Sequence, residues 1–107
     1  MRKGTIVLVP FPFTDLSGQK VRPAIVLADS RRGEDCIVAF ISSNLKAKES
    51  SSVLVVPTRS NGIKDHSVIV LDKIATLQKK IVLGELGQFE SFYLKEVNKK
   101  LKRIFPL

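Results

Sequence analysis

The stretch Lys20-Val21-Arg22-Pro23-Ala24-Ile25-Val26-Leu27 decides how this chain is read. Pro23 has no N–H and a fixed φ, so it suits the first position of a strand and biases Arg22 towards an extended backbone. The apolar run behind it predicts a strand covered on both sides, anchoring the base of Arg22 while its guanidinium faces the preceding loop. A guanidinium held that way is a permanently charged planar fork that matches two phosphate oxygens. The competing reading is an Arg in a surface ion pair at a strand end, and composition alone favours it.

Before this stretch, Thr5-Ile6-Val7-Leu8-Val9-Pro10-Phe11 is a β-branched and apolar run opened by Gly4, and it predicts the first strand. Pro10 and Pro12 break it, and Phe13 to Lys20 carries turn residues without period, a long segment for a plain connection. The Phe11 and Phe13 rings around Pro12 are read as sealing a barrel mouth in preference to stacking on bases. After it, Asp29-Ser30-Arg31-Arg32-Gly33-Glu34 reads as a hairpin turn into a strand at Cys36 to Ile41, ended by Ser42-Ser43-Asn44. Leu45 to Ser51 is a polar loop, and Ser52 to Pro57 a further strand. Thr58 to His66 is a connection with a turn at Asn61-Gly62. Ser67 to Asp72 is strand again, Lys73 to Leu77 continues it after a bend, and Ile81 to Gly87 is the last strand.

Only the tail has helical spacing. From Ser91, the residues Leu94, Val97, Leu101 and Ile104 make one apolar stripe, with Glu90 or Ser91 as cap. Lys99, Lys100, Lys102 and Arg103 crowd its last turns, where cations complement the helix dipole, so that cluster is a stability feature first and a nucleic-acid patch second. The pattern predicts a single domain over residues 1–107 of mainly β (β+α) class: a small, mostly antiparallel, partly closed β-barrel with a C-terminal helix.

Composition narrows the partners. Of 107 residues, 44% are hydrophobic and 26% charged, as expected of a folded globular chain. Lys and Arg number 18 against 10 Asp and Glu, and the net charge of +8 favours a polyanionic partner, either nucleic acid or an acidic protein segment. Cys36 is the single cysteine, which excludes an internal disulfide, makes a cytoplasmic setting the default and reads as a small core residue. No signal-peptide pattern or membrane-length apolar run is present, so no membrane partner is expected.

Elimination narrows the chemistry. The single His66 has no ligand-spaced neighbours, so no metal site is expected, and no cofactor motif is present. The absence of a phosphate-cradling Gly-rich loop before a helix argues against nucleotide hydrolysis. A Ser42, His66 and Asp72 triad can be drawn, but no nucleophile elbow supports it. An Arg, several hydroxyls and a few carboxylates on a basic surface suffice for one metal-free reaction, the cleavage of RNA by its own 2′-hydroxyl. There the protein need only orient the sugar-phosphate, stabilise phosphoryl charge and assist proton transfer. Arg22 is assigned chiefly to charge stabilisation, since a pKa of roughly 12.5 or above handicaps it as acid or base. The Ser42 hydroxyl is the candidate to hold a non-bridging oxygen.

Along its whole length the chain resembles the MazF/PemK toxins of toxin–antitoxin pairs. The landmarks are Gly4-Thr5-Ile6-Val7, Val21-Arg22-Pro23-Ala24, Ala39-Phe40-Ile41-Ser42-Ser43, Ser67-Val68-Ile69-Val70-Leu71-Asp72 followed by Thr76, and Leu86-Gly87 before the last helix. The resemblance implies an SH3-like barrel, a homodimer, and a metal-independent, cofactor-free endoribonuclease cutting single-stranded RNA to leave 2′,3′-cyclic phosphate and 5′-hydroxyl ends. It also implies a cognate antitoxin whose acidic, partly disordered segment blocks the RNA groove. By position, Arg22 matches the family's catalytic arginine and Ser42 falls where a catalytic threonine is common. Thr14, Ser17, Gln19 and Lys20 belong to the loop that would line the RNA path, with Ser43, Asp72, Lys73 and Thr76 as further RNA-contacting candidates. The chain departs from the family at Thr5, where an acidic residue is usual, at the loop before Arg22, which lacks a glutamate found in several members, and at Ala75, which replaces an arginine. Two alternatives stay open: a non-catalytic RNA-binding barrel, and a gyrase inhibitor of the CcdB type, which the lack of Trp disfavours.

Overall fold

Strands β1 (Thr5–Phe11), β2 (Lys20–Asp29), β3 (Asp35–Ser42), β4 (Ser52–Val55), β5 (Ser67–Gln78) and β6 (Gly84–Gln88) precede one helix, α1 (Ser91–Ile104). They form a single six-stranded antiparallel sheet in the order β4-β5-β3-β2-β1-β6, curled into a half-barrel. The structure is a computed structural model describing residues 1–11, 20–30 and 32–106. The expectations for Thr14, Ser17 and Gln19 and for the Phe11 and Phe13 rings lie outside the described residues.

Alternation along the central strands sends apolar side chains to both sides of the sheet. Ile6, Ile25, Ala39, Ile41, Ile69 and Leu71 join Val53, Val55, Phe89 and the helix residues Tyr93 and Val97 in one core. Val7, Val9, Ala24, Val26, Val38, Cys36 and Leu77 form a second cluster. β2 therefore feeds both, as the run behind Pro23 predicted, and each fully buried Val, Leu or Ile contributes about 1.5–3 kcal/mol. α1 lies where its spacing predicts, with Val97 fully buried and Leu94, Leu101 and Ile104 packed against the first core. Glu90 holds the N-cap position without a side-chain capping bond.

The helix also guards a sheet edge. β4 is the outermost strand, and α1 supplies partners to backbone groups at its two ends: Val56 N–H, just past the strand, donates to the Tyr93 hydroxyl at 3.0 Å, and Lys100 Nζ donates to the Ser52 carbonyl. β4 consequently stops at Val55, short of the expected Pro57, because the next amide is taken by Tyr93 and Pro57 has none to give.

The connection between β4 and β5 stitches the opposite edges of the sheet together. Ser60 O accepts the Gln88 amide at 3.0 Å, and Ser60 Oγ donates to Gln88 O at 3.1 Å, so this loop lies along β6. Asn61, with no exposed surface, holds the loop's shape: its Oδ1 accepts the N–H groups of Thr58 and Ile63, and its Nδ2 donates to Val56 O, each at 3.0 Å. Gly62 has φ +68, and a Cβ there would lie 2.4 Å from Leu86 O. The expected Asn61-Gly62 turn is present, and it also serves as the closure of the half-barrel.

Two further elements differ from expectation. The last strand begins at Gly84, not Ile81, because Lys79–Ile81 forms a 3₁₀ turn pinned by Lys79 N–H on Glu34 O at 2.6 Å. β5 runs unbroken from Ser67 to Gln78, but its register against β3 jumps from Phe40↔Val70 to Ala39↔Ile74. Leu71, Asp72 and Lys73 therefore bulge out of the ladder, which is the physical form of the expected bend. Among the described residues no helix is long and apolar enough to cross a membrane.

Candidate active site

The β2–β3 ladder carries the site. Its last pair at this end is Ala24↔Phe40, and extending the antiparallel register by two residues on each strand sets Arg22 opposite Ser42 on the same face. Pro23 rigidifies the strand at that point, and Arg22 lies opposite Val9 of β1 on its other side. Both side chains line one open cleft of about 640 Å³, with Phe40, Ser43, Asn44, Val70, Asp72 and Lys73 around them. Arg22, Asp72 and Lys73 are exposed and Ser42 is half-buried.

The Ser42 hydroxyl is oriented by the backbone that follows it. Asn44 N–H donates to Ser42 Oγ at 3.1 Å, and the Asn44 side chain in turn accepts Lys46 N–H at 3.1 Å at the start of the 3₁₀ turn Leu45–Ala47. With one lone pair engaged, the hydroxyl keeps its proton for an acceptor in the cleft. The β5 bulge has a matching effect, since the extra residues carry Asp72 and Lys73 out of the ladder and onto the cleft rim.

Of the residues singled out from sequence, the fold brings Arg22, Ser42, Ser43, Asp72 and Lys73 to this cleft. Lys20 is exposed at the start of β2, opposite Phe11. Thr76 is exposed but pairs with Ile37 further along β5 and does not line the cleft. Ala75 packs against the second core cluster. His66 is exposed and lines neither this cleft nor its neighbour, and no metal-binding group of three or more His, Cys, Asp or Glu exists among the described residues. Cys36 is buried, and burial, with Asp29 nearby, pushes its thiol pKa up, as befits a core residue.

A second, smaller cleft of about 360 Å³ adjoins the first, sharing Arg22, Ile41 and Ser43. Leu8, Val21, Pro23, Ile63 and Leu86 give it apolar walls, and Lys64, Asp65 and Ser67 a polar rim. Sequence reading missed this cleft and the Asn44 amide. Lys64 and Asp65 lie in a connection with no local motif, and a backbone donor leaves no trace in residue identity.

The cleft thus sets a guanidinium and an oriented hydroxyl together on a basic half-barrel. Residues 2–105 match the family model of the PemK-like, MazF-like toxins of type II toxin–antitoxin systems, and the chain belongs to that family. Among solved structures, an endoribonuclease in complex with its cognate antitoxin, from Mycobacterial species, is 15% identical with a TM-score of 0.80, covering 100% of this chain and 96% of that one. MazF from Deinococcus radiodurans is 20% identical with a TM-score of 0.77, covering 100% and 97%. The Mycobacterium tuberculosis toxin MazF-mt6 is 19% identical with a TM-score of 0.76, covering 96% and 97%. At these identities the likeness is one of fold. A search of curated proteins found no match.

Proposed function

We propose that this toxin is an endoribonuclease that cuts single-stranded RNA by in-line attack of the substrate's own 2′-hydroxyl, leaving 2′,3′-cyclic phosphate and 5′-hydroxyl ends. The observation that carries the reading is the shared cleft of Arg22 and Ser42, with the serine's acceptor side already engaged by Asn44 N–H. In the reaction, the Arg22 fork grips the non-bridging oxygens and neutralises the charge that builds on them as the fifth bond to phosphorus forms. Ser42 donates a hydrogen bond to one of the same oxygens. Asp72 is the single carboxylate among the described residues lining that cleft; it takes up the 2′-hydroxyl proton as the 2′-oxygen bonds to phosphorus, and the P–O5′ bond breaks with the leaving 5′-oxygen taking a proton from solvent. The nucleophile and the reacting phosphorus both belong to the substrate, so the reaction needs no metal or cofactor.

The family and the fold of the antitoxin-bound Mycobacterial endoribonuclease support a cognate antitoxin as partner, and the charge of +8 suits an acidic segment of it that competes with RNA. The working form in this reading is a cytoplasmic homodimer. Purified protein incubated with single-stranded RNA in EDTA tests the proposal. Cleavage to fragments with cyclic phosphate ends, and no cleavage of DNA of matching sequence, is the expected result. RNA bound but left intact would instead favour a non-catalytic RNA-binding barrel.

A further inference from the structure

The two clefts meet at Arg22, Ile41 and Ser43, so a phosphate gripped by Arg22 borders both spaces. The spaces differ in chemistry. The larger is rimmed by Asp72, Lys73 and Asn44, whereas the smaller is walled by Leu8, Val21, Pro23, Ile63 and Leu86 and opens to Lys64, Asp65 and Ser67. A splayed-out RNA base needs flat apolar walls for its faces and hydrogen-bonding groups for its edge. The smaller cleft supplies both, and its volume of about 360 Å³ falls at the small-ligand end of binding pockets.

Its rim carries one charged donor and one charged acceptor: the Lys64 ammonium meets acceptor atoms that every base presents, so discrimination between bases falls to the Asp65 carboxylate. Ser67 is buried and its hydroxyl donates to the Asp65 carbonyl at 2.8 Å, which fixes the backbone beneath the Asp65 side chain. The Asp65 carboxylate is exposed at the cleft rim and has no ion-pair partner among the described residues. An ionised carboxylate only accepts hydrogen bonds; adenine, cytosine and guanine each offer it an exocyclic amino group, whereas the one edge donor of uracil, N3–H, lies between two carbonyl oxygens that the carboxylate repels. We propose that this cleft seats the base of a nucleotide flanking the cleaved bond, and that Asp65 selects there for adenine, cytosine or guanine against uracil. The proposal rests on the ribonuclease reading for the position of the cut, and goes beyond it by assigning a base subsite and the residue that reads it.

The test uses the full chain, wild type and Asp65→Asn, with Glu34→Gln as a control for lost negative charge at an exposed residue lining neither cleft. A randomised single-stranded RNA pool is digested in EDTA and the fragment ends are sequenced. In parallel, a randomised 2′-O-methyl RNA pool, which lacks the nucleophile, is selected for binding. Wild type is expected to disfavour uracil at one position next to the cut, by about tenfold, and Asp65→Asn to relax that one position while Glu34→Gln does not. An Asp65→Asn pattern identical to wild type in both pools overturns the subsite and leaves the ribonuclease reading standing. Wild-type protein that selects bases in the uncut pool in an Asp65-dependent way, yet cuts nothing, upholds the subsite and overturns the ribonuclease reading. Neither cutting nor selection overturns both.

Discussion

At the scale of single residues, Arg22 and Ser42 make separable contributions. Arg22→Ala removes both charge and fork and should abolish RNA cleavage. Arg22→Lys keeps a point charge and should recover only a minor part of the rate, because an ammonium cannot bond two phosphoryl oxygens in one plane. Ser42→Ala should lower kcat on the order of 10²–10³ with little change in RNA affinity, since one electrostatic donor is lost in the transition state. Ser42→Thr, whose methyl restricts the rotamer, should match or exceed wild type. Initial-rate assays on a fluorogenic RNA read all four, and full activity in Arg22→Ala would overturn the assignment. Away from the site, Asp29 accepts from Lys79 Nζ and from the N-terminal ammonium, at 2.6 Å for the latter. The hydrogen bond from Lys79, followed by that from the N-terminus, holds the Asp29 pKa below the ordinary carboxylate value. A depressed carboxylate pKa stabilises the fold above the unfolded value of about 3.9 and loses that contribution as pH falls through the lower folded value. Asp29→Asn should therefore melt below wild type at pH 7, with the gap closing in melts taken below pH 4.

At the scale of elements, α1 is both a core layer and the cover of an exposed edge. Tyr93 packs edge-on to Phe89, with ring centroids 5.6 Å apart, and accepts the Val56 amide. Tyr93→Phe keeps the packing and leaves that amide without its partner, which should cost about 1–2 kcal/mol in urea unfolding. The helix was legible in the sequence because a stripe at three- and four-residue spacing has one physical explanation; it starts at Ser91, as read, and runs to the last residue of the stripe, Ile104. The β5 bulge was legible only as a bend: bulging is a property of the pairing with β3, and the partner's register is not written in residues 71–73. The same reasoning covers the site. Arg22 was legible through its proline neighbour and Ser42 through its strand-end position, whereas the smaller cleft depends on Ile63 and Leu86, far apart in sequence, forming walls of one space.

At the scale of the molecule, charge and closure set the behaviour. An excess of eight positive charges implies that RNA affinity, measured by anisotropy, falls steeply and log-linearly as salt rises, by a similar slope for wild type and Ser42→Ala. Closure depends on the Asn61-Gly62 turn. Gly62→Ala forces a Cβ against the Leu86 carbonyl in a backbone region that side chains disfavour, and should lower the melting temperature by several degrees or more.

The join between loop and β6 has a kinetic corollary. Six strands are joined by paired ladders, but the half-barrel is closed by a few bonds around Ser60 and Gln88. That hem is the natural place for the half-barrel to part first, so amide deuteration should reach Gln88 well before Ile25, with Leu86 and Ile63 drawing away from the smaller cleft as it does. Such a parting would enlarge the smaller cleft while leaving intact the sheet that holds the arginine.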